Sequence, residues 1–293
     1  MDITELTELL GKGYGGRQLT SLLTEKTDSL LKNVFYSHFG SKPSGLCLMA
    51  VGGYGRGEMA PFSDVDIMVF AKDSSSSEEA KELLYRLWNM NLNISHSFRT
   101  AADCIREARR DIRTRTSLLE CRCLAGDTDL FRYFIDNVHP EIAYRESKNF
   151  ITEKLREVAQ RHRKISSSVF VLEPHIKEGR GMLRDIHTLM WLASVRHRTG
   201  LCDGLSKLLP PDDLRKLERA HDFLLKVRFC LHILSGRRND VLSFEFHERT
   251  AGILNFKASK RFLSSERFMR YLYLKASVVD DITSGTLDLF SMP

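Results

Sequence analysis

The chain has 293 residues, 42% of them apolar and 28% charged, a balance that excludes wholesale disorder and fits about two domains. Its 44 basic and 38 acidic residues leave a net charge of +6, which suits an anionic ligand such as a nucleotide. The basic residues form no aromatic-interleaved stripe, so no nucleic-acid partner is expected, and no apolar run approaches the roughly 18 residues of a membrane-spanning helix.

The opening MDITELTELL is acidic where a secretory signal is basic, so a cytoplasmic location is expected. Gly11, Gly13, Gly15 and Gly16 follow no strand and lack a G-K-[ST] ending, and they read as a flexible N-terminal tail. Residues 18–39 place Leu22, Leu23, Leu30, Leu31, Val34 and Phe35 at mostly helical spacing, giving an amphipathic helix. GLCLMAV is a short apolar run of strand length ending at GGYGRGE. DVDIMVF reads as a second strand, with Asp64 and Asp66 on one face and Val65 and Ile67 on the other. A serine turn, the helix EEAKELLYRLWNM and a weaker strand NISHSFR follow, so this part is a small α/β sheet domain.

From about residue 101 the pattern turns helical, with long periodic stretches over 147–164, 184–199, 212–235 and 258–282 punctuated by Pro140, Pro174 and Pro210-Pro211. The expected organisation is a tail and helix over 1–44, a sheet domain over 45–135 and a helical domain over 136–293. The fold class is α+β, a small mixed-sheet domain packed on an all-helical one. Trp191 and Phe229 sit at core-like helical positions. The six cysteines, at 47, 104, 121, 123, 202 and 230, form no C-x-x-C and read as buried free thiols.

The informative segment runs Gly52-Gly53-Tyr54-Gly55-Arg56-Gly57-Glu58, then Pro61, then Ser63-Asp64-Val65-Asp66. A strand ending in a glycine pair lets backbone N–H groups approach phosphate oxygens, because no Cβ intervenes. Two carboxylates at i and i+2 on a strand face the same way and repel, an arrangement tolerated around a divalent cation; oxygen-only donors favour magnesium or manganese. A lone D-x-D pair reads as a solvated edge and a lone glycine pair is weaker still. Together on adjacent strands they are the minimal equipment for metal-assisted nucleotidyl transfer.

GGYGRGEMAPFSDVDI resembles the catalytic signature of the bifunctional uridylyltransferase/uridylyl-removing enzymes, which modify the PII nitrogen-signalling protein and belong to the DNA polymerase β-like nucleotidyltransferase superfamily. NISHSFRTAADC, TSLLECRCLAGD, the run Glu173-Pro174-His175-Ile176-Lys177-Glu178-Gly179 into Leu183-Arg184-Asp185, and Gly236-Arg237-Arg238-Asn239-Asp240 are similar to further blocks of that family, in order along nearly the whole chain. The resemblance implies Mg2+-dependent transfer (Mn2+ as the second choice) of UMP from UTP to a tyrosine of PII. It makes Asp64 and Asp66 the catalytic metal ligands and Gly52 and Gly53 the triphosphate cradle, within a nucleotidyltransferase domain over 45–135.

Arg56 and Ser63 either support the phosphates or act structurally, Arg56 by an ion pair to Glu58 and Ser63 by capping a turn. Lys177 and Arg184 either reach the triphosphate from the second domain or, with Asp185 opening a helix, form a cap and an ion pair. Arg237, Arg238 and Asp240 either recognise ligand or brace the domain interface, and bracing is the favoured reading. The sequence departs from the family at Arg180 and Met182, where glycines are typical, and at His175, where Asn is typical. The superfamily also uses a third carboxylate on a later strand; NISHSFR offers Asn93 instead, leaving Asp111 and Glu120 as candidates. The family's HD and ACT domains have no counterpart in these residues, and His221-Asp222 inside an amphipathic run reads as coincidence. Another acceptor or nucleotide, or a catalytically silent nucleotide-binding module, are the alternative readings.

Overall fold

The computed structural model describes residues 3–40, 45–90, 92–165 and 168–291, so residues 1, 2 and 41–44 of the expected tail-and-helix segment lie outside the described residues. The chain divides into two compact units, one of residues 21–59 and 63–147 and one of residues 1–20, 60–62 and 148–293.

The first of these units is built on a four-stranded sheet of order β3-β2-β1-β4. Its strands are β1 (Leu46–Ala50), β2 (Val65–Ala71), β3 (Ile94–Arg99) and β4 (Arg122–Gly126). β1 pairs antiparallel with β2 and β4, while β2 pairs parallel with β3, so the sheet is mixed, as expected for the α+β class. Both faces are covered. Alternate residues Leu46, Leu48, Ala50, Val65, Ile67 and Val69 pack against Leu31 and Phe35 of α2 (Gly16–Phe39) and Leu83 and Leu87 of α4 (Ser77–Trp88). The opposite set, Cys47, Met49, Met68 and Phe70, packs against Cys104 and Ala108 of α5 (Ala101–Arg110) and Leu118 of α6 (Ile112–Leu119), with Phe134, Val138 and Ile142 beyond. Burial on both sides explains why β1 and β2 read as nearly continuous apolar runs.

Local signals set the helix starts. Thr100 and Asp103 form a reciprocal capping box at α5, worth about 1 kcal/mol. Asp111 caps α6 by accepting from the N–H groups of Arg113 and Thr114. Between β1 and β2 lies the short helical turn α3 (Gly52–Gly55); α7 (Thr128–Tyr133) and α8 (His139–Ala143) follow β4. β4 was not expected. Its five residues, RCLAG, hold no β-branched residue and one glycine, so the sequence carries little strand signal and pairing with β1 decides the outcome.

The second unit is helical. α10 (Leu183–His197) is buried on nearly every side from Leu183 to Val195, and α12 (Pro211–Ser235) is buried through most of its second half, so both are central helices. α9 (Ser147–Ile165), α11 (Leu201–Leu208), α13 (Phe244–Ile253) and α14 (Ser264–Ser291) complete the unit. Trp191 and Phe229 are fully enclosed, as their spacing implied. α14 starts later than the expected residue 258 and runs on past 282. The N-terminal stretch is not a loose tail. Residues Ile3–Gly11 form helix α1, Leu6 and Leu10 are buried, and the Arg17 N–H donates to Asp222 Oδ1 at 2.9 Å. The His221-Asp222 pair therefore has structural work: His221 is buried and Asp222 receives the start of α2. No described helix is long and apolar enough to cross a membrane.

Candidate active site

β1 ends at Ala50, and the chain turns at once through α3. The Val51 N–H donates to the Asp66 carbonyl at 3.0 Å, which ties the start of the turn to β2. Gly52 has φ +59°, a left-handed conformation that costs a side-chain-bearing residue about 1 kcal/mol or more. A Cβ there would also stand 3.3 Å from Ser117 Oγ and 3.4 Å from Asp66 Oδ2, so the glycine's bare face looks onto the carboxylate. Gly55 is held more tightly still, because a Cβ would lie 1.8 Å from the carbonyl oxygen of Glu120. Glycine is required at Gly52 by conformation and at Gly55 by packing.

Asp66 lies on the face of β2 shared by Met68 and Phe70, opposite Ser95 of β3 in the parallel register. Together with Val51, Ser95, Ser97, Arg99, Thr114 and Ser117 it lines a cavity of about 220 Å3. Asp64 immediately precedes the strand, after Ser63 and after Phe62, whose φ of +59° marks a strained turn. Asp64, Asp66 and Ser63 are half-buried. The lining combines the Asp66 carboxylate and serine and threonine hydroxyls, which suit a hard divalent cation, with His96 and the cationic Arg99, which suits an anion.

The two candidates for a third carboxylate have other tasks. The Asp111 carboxylate is taken up by the α6 cap, including the Thr114 hydroxyl at 2.7 Å. Burial alone would raise its pKa, but the bonds from Thr114 and Arg113 hold it below the usual carboxylate value. Glu120 is buried against Arg56, whose guanidinium also donates to Glu58 Oε2 at 2.8 Å. The Arg56 side chain is only 9% exposed. Burial opposes its charge, and Glu120 and Glu58 more than restore it, raising its pKa further above the ordinary arginine value. Of the two readings of Arg56, the ion pair to Glu58 is the one present, with Glu120 as an added partner.

A second tie holds the glycine turn. The buried Tyr54 hydroxyl donates to Asp28 Oδ1 at 2.6 Å, and Arg122 of β4 grips both Asp28 oxygens at 2.6 and 2.7 Å. The Arg122 guanidinium also lies 4.9 Å from the Tyr54 ring centroid. Asp28 and Arg122 escaped the sequence reading because they are 94 residues apart and neither sits in the glycine motif.

In the helical unit, residues 176–184 form a loop closed on itself, with the Leu183 N–H bonding to the Ile176 carbonyl at 3.2 Å and the Arg184 N–H to the Lys177 carbonyl at 2.8 Å. Arg184 grips Glu178 at 2.8 Å and lies 5.5 Å from the Trp191 ring centroid, so its guanidinium is already engaged. Asp185 accepts from Arg161, His162 and the Gly181 N–H, and is fixed from several sides. Asp240 accepts from Arg228 at 2.6 Å and meets His232 at 3.1 Å; burial opposes its charge, but these partners hold its pKa far below the usual value. These contacts fix Asp240 within the helical unit, while Arg237 and Arg238 are exposed.

Lys177 differs. Burial, and then the neighbouring charges of Arg228 and Arg184, lower its pKa to about 8. A lysine pushed down from 10.5 to about 8 carries a penalty of about 3 kcal/mol whenever it is charged in the folded state. A bound anion would offset that penalty. Stability attributable to Lys177 is therefore lowest below pH 8 and rises with pH toward 10.5. Lys177→Met is expected to raise the melting temperature at pH 7 yet weaken binding of inorganic triphosphate about tenfold or more. In the wild type that binding should fade as pH passes 8, and Lys177→Arg should flatten the profile. Thermal melts and calorimetric titrations over pH 6–9 read both effects, and a variant that melts lower and binds unchanged would make Lys177 purely structural.

Residues 149–287 match the family model described as GlnD PII-uridylyltransferase, and residues 39–118 match the nucleotidyltransferase domain model. The chain is similar to the bifunctional uridylyltransferase/uridylyl-removing enzyme of Nitrobacter hamburgensis, 36% identical over 86% of this chain and 28% of that protein. The enzyme of the same description from Novosphingobium aromaticivorans is 38% identical over 87% of this chain and 29% of the relative. That from Rhodopseudomonas palustris is 33% identical over 96% and 32%. The chain thus spans about a third of the length of the curated relatives it matches.

Proposed function

We propose that this chain, which is similar to the PII-uridylyltransferases over most of its length, transfers UMP from UTP to a tyrosine of the PII nitrogen-regulatory protein, in the cytoplasm, releasing pyrophosphate. The observation that carries the reading is the juxtaposition at the sheet end: Gly52 is left-handed and bare on the side where a Cβ would stand 3.4 Å from Asp66 Oδ2, beside a polar cavity. Asp64 and Asp66 would hold a divalent cation, Mg2+ first and Mn2+ second. Bound there, such a cation polarises the phosphate and lowers the pKa of the acceptor hydroxyl.

The remaining work falls to the chain's own groups. Gly52 and Gly53 offer backbone N–H groups to phosphate oxygens at close range. Ser63 sets the turn into Asp64, and Arg56 keeps the glycine turn rigid through Glu58 and Glu120. Lys177 is proposed as a phosphate contact, since its charge is costly without an anion; Arg184 is a weaker candidate, being bound to Glu178. In the transfer, the tyrosine oxygen bonds to the α-phosphorus, the bond to the bridging oxygen breaks, pyrophosphate leaves and the hydroxyl proton passes to solvent.

A second reading, a nucleotide-binding module without turnover, is favoured by one observation: beside Asp66 the neighbouring strand offers Ser95 rather than a carboxylate. Intact-mass analysis of PII after incubation with the chain, Mg2+ and equal UTP and ATP separates the two. A UMP-sized gain supports transfer; an AMP-sized gain changes the nucleotide. No gain, with nucleotide bound, overturns transfer to PII and leaves another acceptor or the silent module.

A further inference from the structure

Four of the six cysteines converge on one side of the sheet. Cys47 and Cys104 are buried in the apolar cluster under α5 and α6, and Cys121 and Cys123 pack against it. Cys104 is satisfied by the thioether of Met68 at 3.8 Å. Cys47 and Cys123 face each other from β1 and β4, with their sulfurs 3.6 Å apart. That separation is van der Waals contact between two thiols, and a disulfide needs it to close to about 2 Å.

The backbone between them is able to yield. Leu48 pairs with Ala125 and Met49 with Cys123, so Leu124 is an extra, unpaired residue on β4. Such a bulge breaks the ladder and lets the strand bend locally. The pair is also asymmetric. Cys47 is fully buried, whereas Cys123 is half-buried and open to a small reagent. The two thiols share a hydrogen bond, which lowers the pKa of Cys123 while raising that of Cys47; nearby Lys32 adds to the lowering. Cys123 is thus the attacking sulfur and Cys47 the resolving one.

We propose that Cys47 and Cys123 are a redox-active dithiol, a modification site that closes to a disulfide when the protein meets a small-molecule disulfide such as oxidised glutathione. The Cys123 thiolate attacks one sulfur of the oxidant, forming a mixed disulfide and releasing the first reduced thiol. Cys47 then loses its proton and attacks the Cys123 sulfur, expelling the second reduced thiol. Two protein thiols are oxidised and one disulfide reagent is reduced to two thiols, so atoms and electrons balance. The cross-link would staple β1 to β4 five residues before Gly52. Disulfides of reducing compartments are mostly transient and redox-sensing, which suits a contact that is poised but open.

The test treats the folded chain with oxidised glutathione, blocks remaining thiols with N-ethylmaleimide and maps the peptides. The expected result is a loss of two hydrogens, a peptide joining Cys47 to Cys123, and full reversal by dithiothreitol. Cys47→Ser should trap a stable glutathione adduct on Cys123; Cys47→Ala serves the same purpose if the serine variant does not fold. Adducts confined to the exposed Cys202, with Cys123 still alkylated in the wild type, would overturn the proposal. The readout is mass alone, so it stands apart from any transfer activity.

Discussion

Asp66→Asn is expected to lower nucleotidyl transfer about a thousandfold while leaving the melting temperature within a few degrees of wild type. The size follows from what the change removes. Asparagine keeps the shape but loses the charge that makes the oxygen donors beside Gly52 attractive to a divalent cation. Loss of charge stabilisation worth about 4 kcal/mol in the transition state corresponds to roughly a thousandfold in rate. Asp66 is half-buried at the start of β2, and the strand's ladder to β1 and β3 runs through its backbone, not its side chain. Fold and function should therefore separate. Pyrophosphate release from UTP in the presence of PII measures the first, and a circular-dichroism melt the second. Activity within tenfold of wild type would remove Asp66 from the site.

The parts of this chain that were legible in its sequence are those whose signals are local. β1 and β2 are short apolar runs, α9, α10 and α12 are long and periodic, and GGYGRGE followed by SDVD announces a tight glycine turn beside two carboxylates. What escaped was decided at a distance. β4 has little propensity of its own and exists because β1 presents an edge to it. The ordering of α1 depends on buried Leu6 and Leu10, and the start of α2 on Asp222, some two hundred residues away. Asp28, Arg122 and Tyr54 form a tie whose members come from three elements, and no spacing rule links them. The roles of individual charges were the least legible. Arg56, Arg184 and Lys177 look alike in sequence, and only burial and partners distinguish the two arginines hydrogen-bonded to glutamates from the lysine, whose burial and neighbouring arginines outweigh the pull of Glu178 and Asp240.

Arg56 carries the second large effect, and on stability first. Its guanidinium sits between Glu58 and Glu120, with side chains 11% and 3% exposed. Removing one member of a buried ion pair leaves charge without compensation, at a cost of about 3–5 kcal/mol. Arg56→Ala should therefore lower the melting temperature by roughly 10 °C, and it should loosen the turn that presents Gly52 and Gly53. Replacing the glutamates along with the arginine, as Arg56→Met with Glu58→Gln and Glu120→Gln, should recover much of the lost stability, because no buried charge is then left unpaired. A phosphate contact predicts the reverse pattern: Arg56→Ala would melt as wild type, lose only nucleotide affinity, and gain nothing from the added glutamines. The two outcomes are read from the same set of melts and binding titrations, and the buried geometry of Arg56 commits to the first.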